Sequence, residues 1–153
     1  MFGRNKLKKI QVYEVSLNIV GTLFVKHDRV ISPAVAGEVF IEYLGGADRE
    51  YLVVLCLDAQ ERIIGINTVC IGVLSNCPFH PREIYKPAIL CNAFAIIIGH
   101  NHPSQSTEPS QNDIEITRQI YLAGSILGIP LQDHIIVDTI NKQYSSLKLK
   151  GIF

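Results

Sequence analysis

His100-Asn101-His102, seven intervening residues, Ser110, two more residues and then Asp113 form the one stretch whose residue types and spacing point to chemistry. In an extended segment side chains alternate between faces, so His100 and His102 project to the same side, about 7 Å apart along the chain. Two imidazoles then converge on one ion. The loop between them and Ser110 holds Pro103 and Pro109 and is long enough to fold back, so the first turn of a following helix presents Asp113 to the same point. Three N/O ligands with a vacant fourth position suit a catalytic Zn²⁺, whereas a structural zinc is closed by four protein ligands. Zinc lowers the pKa of water towards about 7 and polarises a carbonyl, while a nearby carboxylate takes the proton. Spacing alone leaves that carboxylate open among Glu38, Glu42, Glu50, Glu61 and Glu83.

Each part also has a plainer explanation. Ser110-x-x-Asp113 is a capping-box-like helix start, and a bare H-x-H is compatible with hydrogen-bonded histidines at a strand end. The capping and metal roles are compatible. An Asp in the first helical turn sits at the positive end of the macrodipole, which favours the carboxylate form a metal requires.

The elements that must position these residues are legible from periodicity. Ser32 and Pro33 read as N-cap and first helical residue, followed by the apolar stripe Val35, Val39, Phe40 and Leu44 and a stop at Gly45 and Gly46. Tyr51 to Leu57 reads as a strand covered on both faces, and Asp58 to Glu61 turns it into Arg62 to Asn67 as a hairpin. Thr68 to Leu74 is expected to add a third strand. Pro78 and Pro81 precede a helix running to about Cys91, which Pro87 is expected to kink or restart. Ala93 to Gly99 is a buried strand that delivers the chain into His100. Ser110 opens a helix with the stripe Ile116, Ile120, Ala123 and Leu127, ended by Gly128 and Pro130. His134 to Asp138 and Tyr144 to Leu147 are short terminal strands joined by a turn at Asn141 and Lys142. The sum is an α/β (α+β) fold, a mixed sheet flanked by helices.

The chain has 153 residues, 48% of them hydrophobic, and 14 basic residues balance 14 acidic ones. One domain is the simplest partition, with residues 1–31 as an N-terminal extension belonging to the fold and 32–153 as the domain proper. Balanced charge gives no support to a protein that lives on a polyanion. Apolar runs such as Ala93 to Ile98 fall far short of the roughly 18 residues needed to cross a bilayer, and the basic tip Arg4 to Lys9 is followed by no apolar signal region. A cytoplasmic protein without membrane contact is expected. Cys56, Cys70, Cys77 and Cys91 show no C-x-x-C spacing, so neither a disulfide framework nor a Cys-type zinc site is expected.

The run His100-Asn101-His102-Pro103-Ser104, with Pro109-Ser110 and Asp113, resembles the JAMM metallopeptidase motif H-x-H-x7-S-x2-D in the version found in bacterial RadC-like proteins, the RadC DNA-repair family. His80-Pro81-Arg82-Glu83, Asn92-Ala93, and Leu131 through Asp133-His134-Ile135-Ile136 are similar to the same branch, and the likeness covers about Asp48 to Phe153. The resemblance implies a JAB/MPN-type fold, cytidine-deaminase-like, and a hydrolase of peptide or isopeptide bonds. It also implies roles that spacing leaves open. Glu50, leading Glu50-Tyr51-Leu52-Val53-Val54-Leu55-Cys56-Leu57-Asp58, would be the base; His100, His102 and Asp113 would hold zinc; Ser110 would donate to the water or the oxyanion.

Two departures stand out. Gln105 replaces the glycine that usually follows His-Pro-Ser, which touches no ligand but bears on the loop's backbone path. Longer relatives carry an N-terminal helix-hairpin-helix region associated with DNA, and the residues before Glu50 lack that signature, which weakens the DNA link. Asp133 and His134 read as strand-start residues with support of the site as the alternative, Arg82 and Glu83 as either site-orienting or an ordinary helix start, and His27 as solvated surface. Two other functions compete with hydrolysis: a DNA-associated accessory protein of repair or mobile-element defence that uses the domain for binding, and a metal-free interaction scaffold.

Overall fold

The computed structural model describes residues 9–72 and 80–153. Most of the basic tip, together with Val73, Leu74, Cys77 and Pro78, lies outside the described residues. Among the described residues eight elements follow in order: α1 (Pro33–Tyr43), β1 (Tyr51–Leu57), β2 (Ile63–Ile71), α2 (Pro81–Leu90), β3 (Ala95–Asn101), α3 (Gln111–Leu127), β4 (Leu131–Asp138) and β5 (Gln143–Ser146). The strands form one five-stranded sheet in the order β2-β1-β3-β4-β5, in which β3 and β4 are parallel and the other neighbours antiparallel. The expected mixed α/β architecture is what the chain adopts.

Strand periodicity divides the core. Val53, Leu55, Leu57, Ile97, Ile135 and Val137 pack with α1 through Val35, Val39 and Phe40. Leu52, Val54, Cys56, Ile96 and Ile98 face the other way, against Ile84, Tyr85 and Ala88 of α2 and Ile116 and Ile120 of α3. The central strands are therefore apolar on both faces, as a sheet covered by helices on both sides requires. Gly99 has a packing reason: a Cβ there would meet the Phe40 ring at 2.6 Å, so α1 lies directly on the backbone of β3.

Several boundaries differ from those expected. Residues 63–67 and 68–71 belong to one continuous strand, because β1 is long enough to pair with all of it, from Leu57 opposite Ile63 to Tyr51 opposite Ile71; Arg62 stays outside it as an isolated bridge. Pro87 does not restart α2, which runs through it as one helix from Pro81 to Leu90. Pro87 has no N–H to offer the Glu83 carbonyl, but the Cys91 N–H still reaches the Pro87 carbonyl at 2.9 Å. Leu127 is exposed rather than core, since Gly128 ends α3 in a left-handed conformation just beyond it. Cys56 and Cys91 are free, and burial pushes the Cys56 thiol up to about 12. Cys70 is disulfide-bonded, which the spacing of the four cysteines did not suggest.

Before α1 the described chain runs without helix or regular strand, with Ile10, Val12, Tyr13, Ile19, Val20 and Phe24 exposed. Arg29 makes a single bridge to Arg62, and Val30 enters the core. Among the described residues no helix is long and apolar enough to cross a membrane.

The β1–β2 turn depends on Asp58, whose Oδ1 accepts from the Gln60 N–H at 2.8 Å and the Arg62 N–H at 2.9 Å. The Arg62 and Gln60 amides lower its pKa. A lowered carboxylate adds stability above its unfolded pKa and loses it as pH falls through the folded one. Urea unfolding at stepped pH should show a shallower loss of stability below about pH 4 for Asp58→Asn, whose amide oxygen still accepts both N–H groups. An unchanged slope would contradict this. Gly99→Ala should destabilise the fold by about 1–3 kcal/mol in the same assay, because Phe40 has no room to withdraw.

Candidate metal centre

Parity and register assemble the site. Leu52 pairs with His100 across the antiparallel β1–β3 ladder, so continuing that register two residues beyond the last pair sets Glu50 opposite His102 on the same face of the sheet. That face is the one shared by Leu52, Ile96 and Ile98, under α2 and α3. Glu50, His100 and His102 each bring a ligand atom within 4.8 Å of the others. Glu50 and His100 are buried, and His102 is partly so.

Asp113 arrives from α3. The buried face of that helix runs Asp113, Ile116, Thr117, Ile120, Gly124, a helical stripe whose first position is the acid. Ser110 caps the helix by accepting from the Asp113 N–H at 3.1 Å, while Asp113 Oδ2 accepts from the Ser110 N–H and hydroxyl, both at 2.7 Å. The capping box and the site are thus one structure. Asp113 Oδ1 lies 3.3 Å from His100 Nε2, Asp113 Oδ2 lies 3.3 Å from His102 Nε2, and the two Nε2 atoms are 3.0 Å apart. Burial works against the charge on Asp113, yet the two histidines and the Ser110 hydroxyl around it hold its carboxyl well below the usual range. The Asp113 carboxylate in turn raises the His102 pKa, against burial and with help from the Ser106 carbonyl.

The loop between β3 and α3 is held by side chains. His102 Nδ1 donates to the Ser106 carbonyl at 2.7 Å, which fixes its ring orientation. Gln105 does occupy a glycine-like conformation, φ +60°. Its side chain offsets the strain by accepting from the Thr139 N–H at 3.0 Å, which ties the loop to the end of β4.

Three residues matter that spacing did not single out. Asn101, the middle residue of the H-x-H, accepts from the Tyr51 N–H and donates to the Arg49 carbonyl, both at 3.0 Å. It therefore grips the backbone on either side of Glu50. His134 Nε2 lies 2.7 Å from His100 Nδ1, and His134 Nδ1 lies 2.6 Å from Thr117 Oγ1. Thr117 is one turn beyond Asp113 on the same helix face, and that spacing was a usable signal. Burial drives the His134 pKa well below its ordinary value, and the neighbouring His100 adds to this. Asp133, by contrast, turns away from this cluster: it accepts from the Ser146 hydroxyl at 2.6 Å and from the Lys148 N–H at 3.2 Å, anchoring the chain after β5. Glu83 pairs with Lys86 at 2.6 Å on the exposed start of α2, which is ordinary helix-start chemistry.

Residues 30–152 match the model of the RadC-like JAB domain. The chain belongs to the RadC-like JAB domain family. It is 40% identical over 124 residues to a UPF0758 protein of Desulforudis audaxviator, covering 81% of this chain and 53% of that protein. A UPF0758 protein of Syntrophomonas wolfei is 39% identical over 143 residues, covering 91% and 60%, and one of Clostridium kluyveri 41% over 124, covering 81% and 54%. The chain thus spans between half and three-fifths of the length of these RadC-family relatives, whose names specify no activity.

Asn101→Leu leaves the Tyr51 N–H and the Arg49 carbonyl without their side-chain partner. It should cost about 1–3 kcal/mol in denaturant unfolding. A loss under about 0.5 kcal/mol would show that the grip on the Glu50 backbone is immaterial.

Proposed function

We propose that the chain is a zinc-dependent hydrolase of the JAMM type that cuts an amide, in a peptide or an isopeptide bond. The observation that carries this reading is the convergence of His100 Nε2, His102 Nε2 and Asp113 at separations of 3.0 to 3.3 Å. Ligands at about 2.0–2.1 Å from a tetrahedral zinc are separated by about 3.3–3.4 Å, so the donor set fits that ion. Its chemistry fits too. The Ser106 carbonyl can only accept, so His102 Nδ1 carries a proton and a neutral His102 turns its Nε2 lone pair towards His100. Two nitrogens 3.0 Å apart need a positive particle between them, and a cation competes there with a proton.

Zinc held by His100, His102 and Asp113 would supply Lewis acidity, polarising a carbonyl and making water acidic enough to ionise near neutral pH. The chain's own groups then divide the work. Glu50, opposite His102, accepts the proton of the attacking water on its carboxylate and passes it to the departing amine nitrogen, so that water and amide become acid and amine. Ser110 has one hydroxyl proton, committed here to Asp113 Oδ2. To stabilise the oxyanion the hydroxyl must turn outward, while the Ser110 N–H keeps Oδ2 partnered at 2.7 Å. Asn101 holds the strand backbone that carries Glu50.

The test is elemental analysis of protein purified without added metal, followed by cleavage of a peptide library. About one zinc per chain and amide cleavage are expected. Glu50→Gln should keep the metal and lose about 10²–10⁴-fold in turnover, whereas His102→Ala should lose both. Metal lost from the Glu50 variant would make Glu50 a ligand instead of a base, and absence of metal from the unmutated protein would overturn the reading.

A further inference from the structure

We propose that Thr117 and His134 are positioning residues that fix the tautomer of His100, so that its Nε2 lone pair faces the metal position. The inference rests on the metal reading for its purpose, but its geometry stands on hydrogen-bond directionality and burial. Thr117 Oγ1 lies 2.5 Å from the backbone carbonyl of Asp113. Two oxygens that close need a hydrogen between them, and a carbonyl has none to give, so the Thr117 hydroxyl donates to it. With that proton spent, Thr117 Oγ1 can only accept from His134 Nδ1, 2.6 Å away. His134 therefore carries its proton on Nδ1.

The remaining nitrogen follows. His134 is 1% exposed, and an isolated imidazolium there would be costly, so Nε2 of the neutral ring is an acceptor. It lies 2.7 Å from His100 Nδ1, which must then donate. A neutral His100 with its proton on Nδ1 keeps the lone pair on Nε2, the atom 3.0 Å from His102 Nε2 and 3.3 Å from Asp113 Oδ1. The polarity thus runs in one direction from the backbone of Asp113 through Thr117 and His134 to His100. It begins at the same residue whose side chain faces His100 and His102. His102 reaches the matching state by a shorter route, through the Ser106 carbonyl. Buried neighbours that set the tautomer and orientation of a metal-binding histidine characteristically change metal affinity by about 10–100-fold when removed.

The test has two arms on the full chain. In uniformly ¹⁵N-labelled, metal-free protein, long-range ¹H–¹⁵N correlations should show His134 protonated on Nδ1 with an unprotonated Nε2; a proton on Nε2 instead overturns the relay. In the second arm, zinc affinity is measured by competition with a chromophoric chelator. Thr117→Val should weaken zinc binding about 10–100-fold, and Thr117→Ser, which restores the hydroxyl, should return it to within a few-fold of the unmutated chain. His134→Gln, whose amide oxygen can accept from His100 Nδ1, should bind more tightly than His134→Phe. Equal affinity of Thr117→Val and the unmutated chain, with both folded by circular dichroism, overturns the proposal. If the unmutated chain takes up no zinc, the metal reading fails, and the tautomer of His134 still decides the relay.

Discussion

The antiparallel register of β1 against β3 is the constraint on which the site depends. Leu52 opposite His100 puts Glu50 and His102 across from one another on one face. A one-residue slip would turn either Glu50 or the histidines into the α1 core. The register is held by burial on both sides. Leu52 and Val54 can face only α2 and α3, and Val53 and Leu55 only α1, because each set completes a separate apolar cluster. Asn101 reinforces it at the end of the ladder, where its amide takes the place of a strand neighbour for the backbone around Glu50.

The helical contribution is equally economical. Asp113 serves the N-terminus of α3 through its exchange of hydrogen bonds with Ser110, and it faces the histidines with the same carboxylate. A capping acid at the positive end of a helix already favours its charged form. Further along the same face Thr117 meets His134, so one turn of helix supplies an anionic side chain and, through Thr117, a hydrogen-bonded link to the back of His100.

Much of this was legible in the sequence, and the reasons are local. The H-x-H parity, the seven-residue loop and the Ser-x-x-Asp helix start all encode relations within a few residues of each other, and the structure brings those four residues together. Glu50 was not separable from other glutamates by spacing, because its placement is a cross-strand relation set by fifty residues of intervening chain. Resemblance supplied it, and the register explains it. Asn101 escaped for the same reason, because its partners Arg49 and Tyr51 are remote in sequence; His134 was picked out by resemblance, with support of the site only as the alternative, because its contact with His100 spans 34 residues. In the fold, the split of β2 into two strands failed because a β1 of seven residues pairs with the whole segment. Leu127 failed because helical period alone does not say where the sheet ends beneath it. The Gln105 departure from the family pattern left the loop path open, and the side-chain bond to Thr139 resolves it.

The RadC-like JAB domain here is therefore a sheet whose register and two helix-borne groups, Asp113 and Thr117, converge on a pair of imidazoles. The central claim is that these imidazoles and Asp113 surround a single ion. Zinc K-edge X-ray absorption on the zinc-loaded chain tests it most directly. The account predicts a four-coordinate first shell of nitrogen and oxygen at about 2.0–2.1 Å with the outer-shell signature of two imidazoles. Sulfur scatterers at about 2.3 Å, or a shell without imidazole, would contradict it.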